Sequence, residues 1–481
     1  MANLSAAVEL EANALSPHAL YNALTNASSS NQQQITDGAK QLSSWEKTSG
    51  YYSNLQTIFI DTTLPFEVRY LSAIQIKHGI DRYWRKTATN AISKDEKALI
   101  RSRCLQSGIN EVDRRLALQN ALFVAKIVRH EYPTDWPDAI TSIVQFLRDT
   151  AQEDSSSIHL PRTLLILLYI IKELATARLQ RSRASLQKAA PDILLVLGTI
   201  YINKVNSWLG HIRSQQTDTG NFAEEIDTSL LALRVLRRLL ISGFENPNRQ
   251  ADVQGFWSIL GGQFVELFDL NIQYGAQLAG RGQVEKHLIQ ISKLHLNMVR
   301  EHPSAFPQLP GSIDIAKAYW KMLLEFSKSF GAHDLASIGT DGDAEEAISY
   351  LEKLSLKGLL LLRACVKMVY YPVQTFKYQH DSDKEERQQS KSAMKDAILS
   401  EAMVKEMMET LVTRFFVFRP RDLREWEEEP SEWERKEEGE GEAWEFSIRL
   451  CSEKLFLDVV INNKNLLIQP LLQVFYSVAS K

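Results

Sequence analysis

Apolar residues recur along most of the chain at the spacing of one face of an α-helix, and this periodicity limits the possible folds. Between residues 226 and 243 the stripe comprises Ile226, Leu230, Leu233, Leu236 and Leu240. We find no convincing run of the strict alternation that marks a half-buried strand. Gly and Pro, 21 and 14 of 481 residues, are too few for the frequent turns of an all-β protein. The sequence therefore predicts an all-α protein.

The predicted helices are grouped in pairs, with breakers such as Leu64-Pro65 and Tyr132-Pro133 between them. The first helices of the early pairs start at residues 31, 65, 113 and 159, a spacing that matches HEAT-type helical hairpins of about 40–47 residues. Since a hairpin buries its apolar stripe only against its neighbours, we expect a right-handed superhelical solenoid of about eight pairs. The predicted pairs are 31–47 with 49–61, 65–84 with 93–107, 113–131 with 136–149, 159–176 with 186–212, 226–243 with 251–273, 283–301 with 312–330, 345–371 with 391–416, and 442–462 with 465–480.

Three stretches depart from this pattern. Residues 1–30 form a polar leader, and residues 379–392 have almost no apolar content and predict an exposed loop. Residues 425–445 contain eleven Glu against Arg435 and Lys436, a local charge of -9 in a chain of net charge -4. Three tryptophans lie among these glutamates, which favours an ordered or partner-docking segment. A solvated loop that maintains solubility is the alternative, and the sequence leaves both open.

A basic stretch lies near the N-terminus. Residues 67–130 carry 13 Lys and Arg against 6 Asp and Glu, a local charge of +7. This stretch could contact the acidic insert or an acidic partner surface. It could equally be an ordinary solvated face, so both interpretations stay open.

The sequence offers no pattern for catalysis. It contains no HExxH, GxSxG or Walker A motif, and its three cysteines form no CxxC pair. We therefore predict no catalytic residue, metal or cofactor, and no enzyme activity. The longest strongly apolar run, 164–171, is too short to span a membrane, so no membrane insertion is expected. The net charge of -4 gives no reason to expect direct nucleic-acid binding.

Residues 39–84 resemble the importin-beta N-terminal domain of nuclear transport receptors. The motifs that carry the resemblance are AKQLSSWE at 39–46, GYYSNLQTI at 50–58, LPFEVR at 64–69 and AIQIKHGIDRYW at 73–84. The corner EYPTDWP at 131–137 is also similar to importins and exportins. In the acidic insert, EWEEEPSEW at 425–433 and the helix after it resemble the importin-eleven type, although Glu429 stands where that pattern has Asp.

The resemblance implies a layout for the chain. Receptors of this family are about twice as long, so the chain is interpreted as an N-terminal half whose solenoid continues beyond it. The expected domains are a leader at 1–30, the Ran-binding importin-beta N-terminal domain at 31–150, further solenoid at 151–424 with a loop insert near 376–392, the acidic insert at 425–445, and more HEAT helices at 446–481.

The resemblance also implies partners. Family members bind the small GTPase Ran in its GTP form, mainly through the second helices of the N-terminal hairpins. The candidate Ran contacts are Asn54, Gln56, Asp61, Lys77, Arg82, Glu111, Arg114 and Lys126. The aromatic residues Trp45, Tyr83, Trp84, Tyr132 and Trp136 are instead expected in the core or at helix corners.

Cargo proteins and nucleoporin Phe-Gly repeats are the other partners that the resemblance implies. The acidic insert would meet a basic surface, on Ran or on a basic cargo, through Glu427, Glu428, Glu429, Glu437 and Glu438. The expected location is the cytoplasm and nucleus, with passage through pore complexes of the nuclear envelope. The alternative function is a HEAT-repeat scaffold or adaptor that does not bind Ran.

Overall fold

The computed structural model describes residues 15–153, 157–176, 180–214, 221–330, 350–371, 381–437 and 443–480. Every regular element in these ranges is helical, which confirms the all-α prediction. The α-helices are α1 Pro17–Ala27, α2 Gln32–Trp45, α3 Tyr51–Ile60, α4 Phe66–Tyr83, α5 Lys94–Ile109, α6 Arg114–Glu131, α7 Ala139–Thr150, α8 His159–Ala175, α9 Gln180–Arg213, α10 Phe222–Ser242, α11 Ala251–Tyr274, α12 Arg281–Glu301, α13 Ser312–Ser327, α14 Tyr350–Tyr370, α15 Asp381–Ile398, α16 Glu401–Thr410, α17 Pro420–Glu428, α18 Pro430–Glu437, α19 Ile448–Asn462 and α20 Lys464–Ala479.

Side-chain caps fix several of the helix starts. Asn31 accepts hydrogen bonds from the backbone N–H groups of the first turn of α2, and Asp113 does the same for α6. Ser93 caps α5 by accepting from the Glu96 N–H at 3.2 Å. Because these caps are short-range features, the predicted starts of these three helices fall within a residue of the observed ones.

The chain divides into two compact units, with the boundary between Gly243 and Phe244. In the first unit α4, α6, α8 and α10 stack side by side in one layer, and α3 packs against α5 in a second layer. Leu and Ile side chains between the layers are fully buried, for example Ile76, Ile127 and Leu167. This two-layer stacking of hairpins is the predicted solenoid fold.

The pairing of helices within hairpins differs from the prediction. The helices that pack most closely as sequence neighbours are α1 with α2, α3 with α4, α5 with α6, α7 with α8, and α9 with α10. We expected 65–84 to pair with 93–107, whereas α4 packs mainly against α3 before it. The reason is that α1, which lies within the expected leader, already forms the first hairpin and shifts all later pairs by one helix.

The second unit is built on a similar layer, in which α14 packs between α12 and α19. Its interior includes an aromatic cluster around His295, which lies beside the rings of Trp257, Phe264 and Tyr319. Burial lowers the pKa of His295 to about 3, so this imidazole is neutral at physiological pH.

Three expectations about polar segments are corrected. Within the leader, α1 is a helix whose Leu20 and Leu24 are buried against α2 and its neighbours. Within 379–392, the described residues belong to α15, because Glu, Lys, Arg and Gln favour a helix even when few of them are apolar. The single helix expected at 391–416 is two helices, and Ser400 stands at the start of the second.

One helix among the described residues, α9, is long and apolar enough to pass a length-and-composition test for a membrane span. Half of its most apolar window is buried inside the protein, and the helix packs against α8 and α10. The core helices of globular proteins pass the same test, so it carries little weight.

Candidate partner-binding surfaces

Buried arginines join the loops and helices of the first unit. Arg69, in the first turn of α4, donates from Nε to the Phe59 carbonyl at the end of α3, at 2.9 Å. It also forms an ion pair with Glu111 in the loop between α5 and α6. Both side chains are nearly inaccessible to solvent. The Arg of the LPFEVR motif therefore has a structural role in connecting two hairpins.

A related contact to the same loop comes from two hairpins further along. Arg162 is the fourth residue of α8, as Arg69 is of α4, and it donates to the Glu111 and Val112 carbonyls, both at 2.7 Å. Glu96 of α5 likewise reaches back to the hairpin before its own. Its carboxylate accepts hydrogen bonds from the Gly50 and Ser53 N–H groups at 3.1 and 2.9 Å, so it caps α3 in the preceding hairpin.

The tryptophan corners are confirmed as parts of the core. Trp45, Trp84 and Trp136 are buried, and Tyr83 and Tyr132 are half-buried. The Trp84 indole N–H donates to the Glu131 carboxylate at 3.0 Å, and Arg101 forms an ion pair with the same carboxylate at 2.5 Å. This network fixes the end of α6 against α5.

Two of the candidate Ran contacts are not on a surface, and this part of the prediction is corrected. Gln56 is 0% exposed and donates to the Ile100 carbonyl at 2.9 Å, so it ties α3 to α5. Glu111 is 4% exposed because it pairs with Arg69. Their polar character suggested solvent, whereas their hydrogen-bond partners lie inside the protein.

The other candidates are at least partly accessible. Arg114 is exposed, and Arg82 is an exposed residue that pairs with Glu46 at 3.1 Å. Lys126 forms an ion pair with Asp81, while Lys77 donates to Gln119 at 3.3 Å.

Asn54 is half-buried on α3, and Asp61 is exposed just after that helix. Hydrogen bonds from Thr63 lower the pKa of Asp61. The candidates are thus divided between two layers of helices. Lys77, Arg82, Arg114 and Lys126 share the layer of α4 and α6, whereas Asn54 and Asp61 belong to α3 and its end.

Residues 425–437 of the acidic insert lie mostly in two short helices, α17 and α18, which agrees with the ordered interpretation of this segment. Its N-terminal anchor is Arg419, which pairs with Glu352 at 2.6 Å and lies over the Phe330 ring at 4.8 Å. Its C-terminal anchor is Trp444, whose ring lies 4.4 Å from the Arg363 guanidinium.

Between these anchors an aromatic cluster holds α17 against α18. The Trp426 and Trp433 ring centroids are 5.9 Å apart, and those of Phe418 and Trp433 are 6.1 Å apart. The Arg449 guanidinium lies 4.7 Å from the Phe418 ring centre and pairs with Glu437. Trp426 nevertheless remains 53% exposed, so an aromatic surface is open beside the glutamates.

The candidate acidic residues are therefore not equivalent. Glu427, Glu428 and Glu429 are exposed, and Glu437 is held in its ion pair with Arg449. Glu438 lies outside the described residues. Among the described residues, no group of three or more His, Cys, Asp or Glu side chains is placed to hold a metal ion.

The chain is similar to known proteins along most of its length. The family profile of the importin-beta N-terminal domain matches residues 38–109. Importin beta-like protein KAP120 of Saccharomyces cerevisiae is 30% identical over 92% of this chain and 41% of its own length. Importin-11 of Mus musculus is 30% identical over 91% of this chain and 41% of its own length. The solved structure of Lph2, described as a bidirectional nuclear transport receptor in S. cerevisiae, superposes with a TM-score of 0.77 and 28% identity over 96% of this chain and 42% of that one.

The chain belongs to the importin-beta superfamily.

The importin-beta N-terminal domain of this chain spans residues 38–109. The match runs from α2 to the end of α5 and includes Gln56, Lys77 and Arg82, whereas Arg114 and Lys126 lie after it on α6. The chain spans about 41% of the length of the curated relatives that it matches.

Sequence reasoning missed several residues that shape these surfaces. Phe418 and Arg449 complete the aromatic cluster. Because they lie about 30 residues apart in the sequence, no local pattern indicates that they are in contact. Lys97, Arg85 and Lys94 line a basic cavity near Trp84. The excess of Lys and Arg over 67–130 was the available signal, but a charge count does not distinguish a cavity from a solvated face.

Proposed function

We propose that this chain is the receptor portion of an importin that carries protein cargo through nuclear pores under the control of Ran. The observation that carries the proposal is the importin-beta N-terminal domain at 38–109, followed by hairpins of the same family fold. In this role the chain acts by stoichiometric binding, and GTP hydrolysis belongs to Ran.

The Ran-binding surface is proposed on the layer that contains α4 and α6. The hairpin order makes these the second helices of their pairs, and Lys77, Arg82, Arg114 and Lys126 lie on them. Arg82 and Arg114 are the most accessible of the four. Exposed cations of this kind set association rate and specificity with a partner of opposite charge.

The test is a pull-down with Ran locked in its GTP form and in its GDP form. We expect binding of the GTP form only, and about ten-fold weaker binding by the variant Arg82→Glu with Arg114→Glu. The matched control is Arg148→Glu with Lys188→Glu, two exposed cations in the same unit that lie on α7 and α9, the first helices of their pairs. Equal binding of both nucleotide forms would favour a scaffold that does not depend on Ran.

The acidic insert is proposed as a contact for basic cargo. Glu427, Glu428 and Glu429 are exposed next to the accessible ring of Trp426, so carboxylates and an aromatic face are available together. A Lys- or Arg-rich segment can use both, through ion pairs and cation–π contacts.

This second proposal is tested with an arginine-rich peptide of about 15 residues, a length that spans the insert as an extended chain. Changing the three exposed glutamates to Gln should weaken binding about ten-fold at low salt and less at physiological salt, because salt screens exposed charges. The control changes Glu385, Glu401 and Glu409 to Gln, which are exposed elsewhere in the second unit. Unchanged affinity at low salt would identify the insert as a solubilising segment.

The remaining partners are proposed from family membership. Nucleoporin Phe-Gly repeats would provide passage through the pore, and the protein would shuttle between cytoplasm and nucleus. Binding of a Phe-Gly repeat peptide, measured by fluorescence anisotropy, tests this part separately from Ran.

A further inference from the structure

A cavity of about 880 Å³ lies in the first unit, beside the buried indole of Trp84. Four pieces of chain form its walls: the loop after α4, the first turns of α5, the end of α6 with its following loop, and the start of α9. The volume falls within the range of about 300–1,000 Å³ that is usual for small-molecule sites. Its lining residues are Trp84, Arg85, Lys86, Thr87, Lys94, Lys97, Arg101, Arg129, His130, Glu131, Thr134, Asp135, Arg181 and Ser182.

The walls carry a strong excess of positive charge. Seven Lys and Arg side chains line the cavity against the two carboxylates of Glu131 and Asp135, a formal charge of +5. Both carboxylates are already engaged, since Glu131 pairs with Arg101 at 2.5 Å and Asp135 with Lys86 at 2.8 Å. Arg129 is also engaged, because it pairs with Glu173 at 2.7 Å. Four of the seven cations, Arg85, Lys94, Lys97 and Arg181, thus have no carboxylate partner among the described residues.

Lys97 is the most informative of these cations. It is 6% exposed, and its Nζ lies 5.7 Å from the centre of the Trp84 ring. In the part of the chain that the structure describes, its ammonium has no hydrogen-bond acceptor and no ion-pair partner within reach. The ammonium is not fully buried, so an anionic ligand in the cavity could reach it and form a charge-assisted hydrogen bond.

The pKa shifts of two lining residues have burial as their main cause, with the nearby charges as smaller contributions. Burial lowers the pKa of Lys97, and Lys86 and Arg101 act in the same direction, whereas Glu131 opposes them. Burial likewise lowers the pKa of His130, with Arg85 and Arg129 adding to the effect. His130 faces Asp81 and Glu173 as well, and these acids only partly offset the cations.

We propose that this cavity binds a compact, multiply phosphorylated small molecule. Arginine guanidinium groups match phosphate oxygens in pairs, and four of the seven cations are arginines. They converge from four pieces of chain on one half-open cavity. Several phosphates on a small scaffold fit that arrangement, with one of them close to Lys97.

The geometry disfavours a polymeric anion. A nucleic acid or an extended acidic peptide needs cations that follow a continuous path along the surface, because its charges are spread along a strand. Here the cations surround a pocket, and the chain as a whole carries a net charge of -4. These two polymers are therefore competitors in the test.

The experiment is titration calorimetry of the full chain with myo-inositol hexakisphosphate at about 0.15 M salt, where exposed charges are largely screened beyond 8 Å. We expect saturable binding of one molecule per chain. The variant Arg85→Gln with Lys94→Gln changes two exposed cavity residues and should weaken binding about ten-fold. Lys97→Met keeps the aliphatic stem over Trp84 and should weaken it at least as much.

The control is Lys40→Gln with Lys188→Gln, which alters the net charge by the same amount outside the cavity and should change affinity less than two-fold. Circular dichroism verifies that each variant is folded, and the exposed pair keeps the test valid if Lys97→Met is not. Absence of saturable binding, or an equal loss in the control, would overturn the proposal. Tighter binding of a poly-glutamate peptide or of single-stranded RNA at the same residues would also overturn it.

Discussion

The N-terminal hairpins and the acidic insert both combine carboxylates with arginines, but they use them differently. In the hairpins, Arg69 and Glu111 are buried and fix the ends of helices. In the insert, Glu427 to Glu429 stay exposed, and the fold is held by aromatic rings and by Arg449. A local charge count therefore says little about which charges are free to meet a partner.

The largest expected effect comes from breaking the buried pair in the hairpins. Arg69→Met leaves the Glu111 carboxylate buried without a cation and removes the donor to the Phe59 carbonyl. We expect a loss of about 3–5 kcal/mol in the free energy of unfolding, measured by urea denaturation. The exposed control Arg114→Met should cost less than about 0.5 kcal/mol.

A double variant separates the pair from simple loss of packing. Changing both Arg69 and Glu111 to Met removes the unpaired charge, so it should restore part of the stability. A double variant that is less stable than Arg69→Met would show that the ion pair is not the cause.

The next effect concerns the tryptophan corner of the hairpins. Trp84→Phe keeps an aromatic ring but removes the N–H that donates to Glu131. We expect a loss of about 1–3 kcal/mol, because a buried acceptor loses its donor. The matched change in the insert, Trp426→Phe, should cost less than about 0.5 kcal/mol, since that ring is half exposed. Equal losses at the two sites would remove this contrast between the regions.

A smaller, local effect is expected in the insert. Arg449→Met removes the contact with Phe418 and the ion pair with Glu437, at a cost of about 1–2 kcal/mol. Amide hydrogen exchange should become faster over residues 425–437 and stay unchanged over α4. The control Arg435→Met changes an exposed arginine of α18 and should leave exchange as it is.

The smallest effect is expected for the exposed glutamates. Changing Glu427, Glu428 and Glu429 to Gln should alter the free energy of unfolding by less than about 0.5 kcal/mol, because these side chains remain in water. Thermal unfolding measures this. A large change in either direction would mean that the glutamates affect the stability of the fold, unlike the exposed, solvated side chains described for the insert.

Helix positions were predictable wherever the sequence holds both a periodic stripe and a terminator. The bounds of α4 and α6 follow from Pro65 and Pro133 and are matched within a residue or two. The pairing of helices was not predictable, because either neighbour could bury the same stripe. The short helix at 17–27 decides which neighbour each helix packs against, and its 11 residues are too few for a clear periodic stripe.

The candidate surfaces were harder to predict than the fold. Gln56 and Glu111 are polar, so a solvent-exposed position was predicted for them, while their partners Ile100 and Arg69 lie more than ten residues away. The polar helix α15 was mistaken for a loop because its contacts are also distant: Glu386 bonds to Asn248 at 2.7 Å. Long-range hydrogen bonds of this kind leave no periodic trace.

Glu96 completes the first turn of α3 from the hairpin that follows it, and Arg162 completes the loop of the hairpin before it. In both cases the backbone groups at a helix start or loop find their partners in the following repeat. A repeat separated from the one that follows it would leave these groups without partners. Unfolding should accordingly proceed in blocks of two or more repeats, which makes this stretch of the array more cooperative than a sum of independent hairpins.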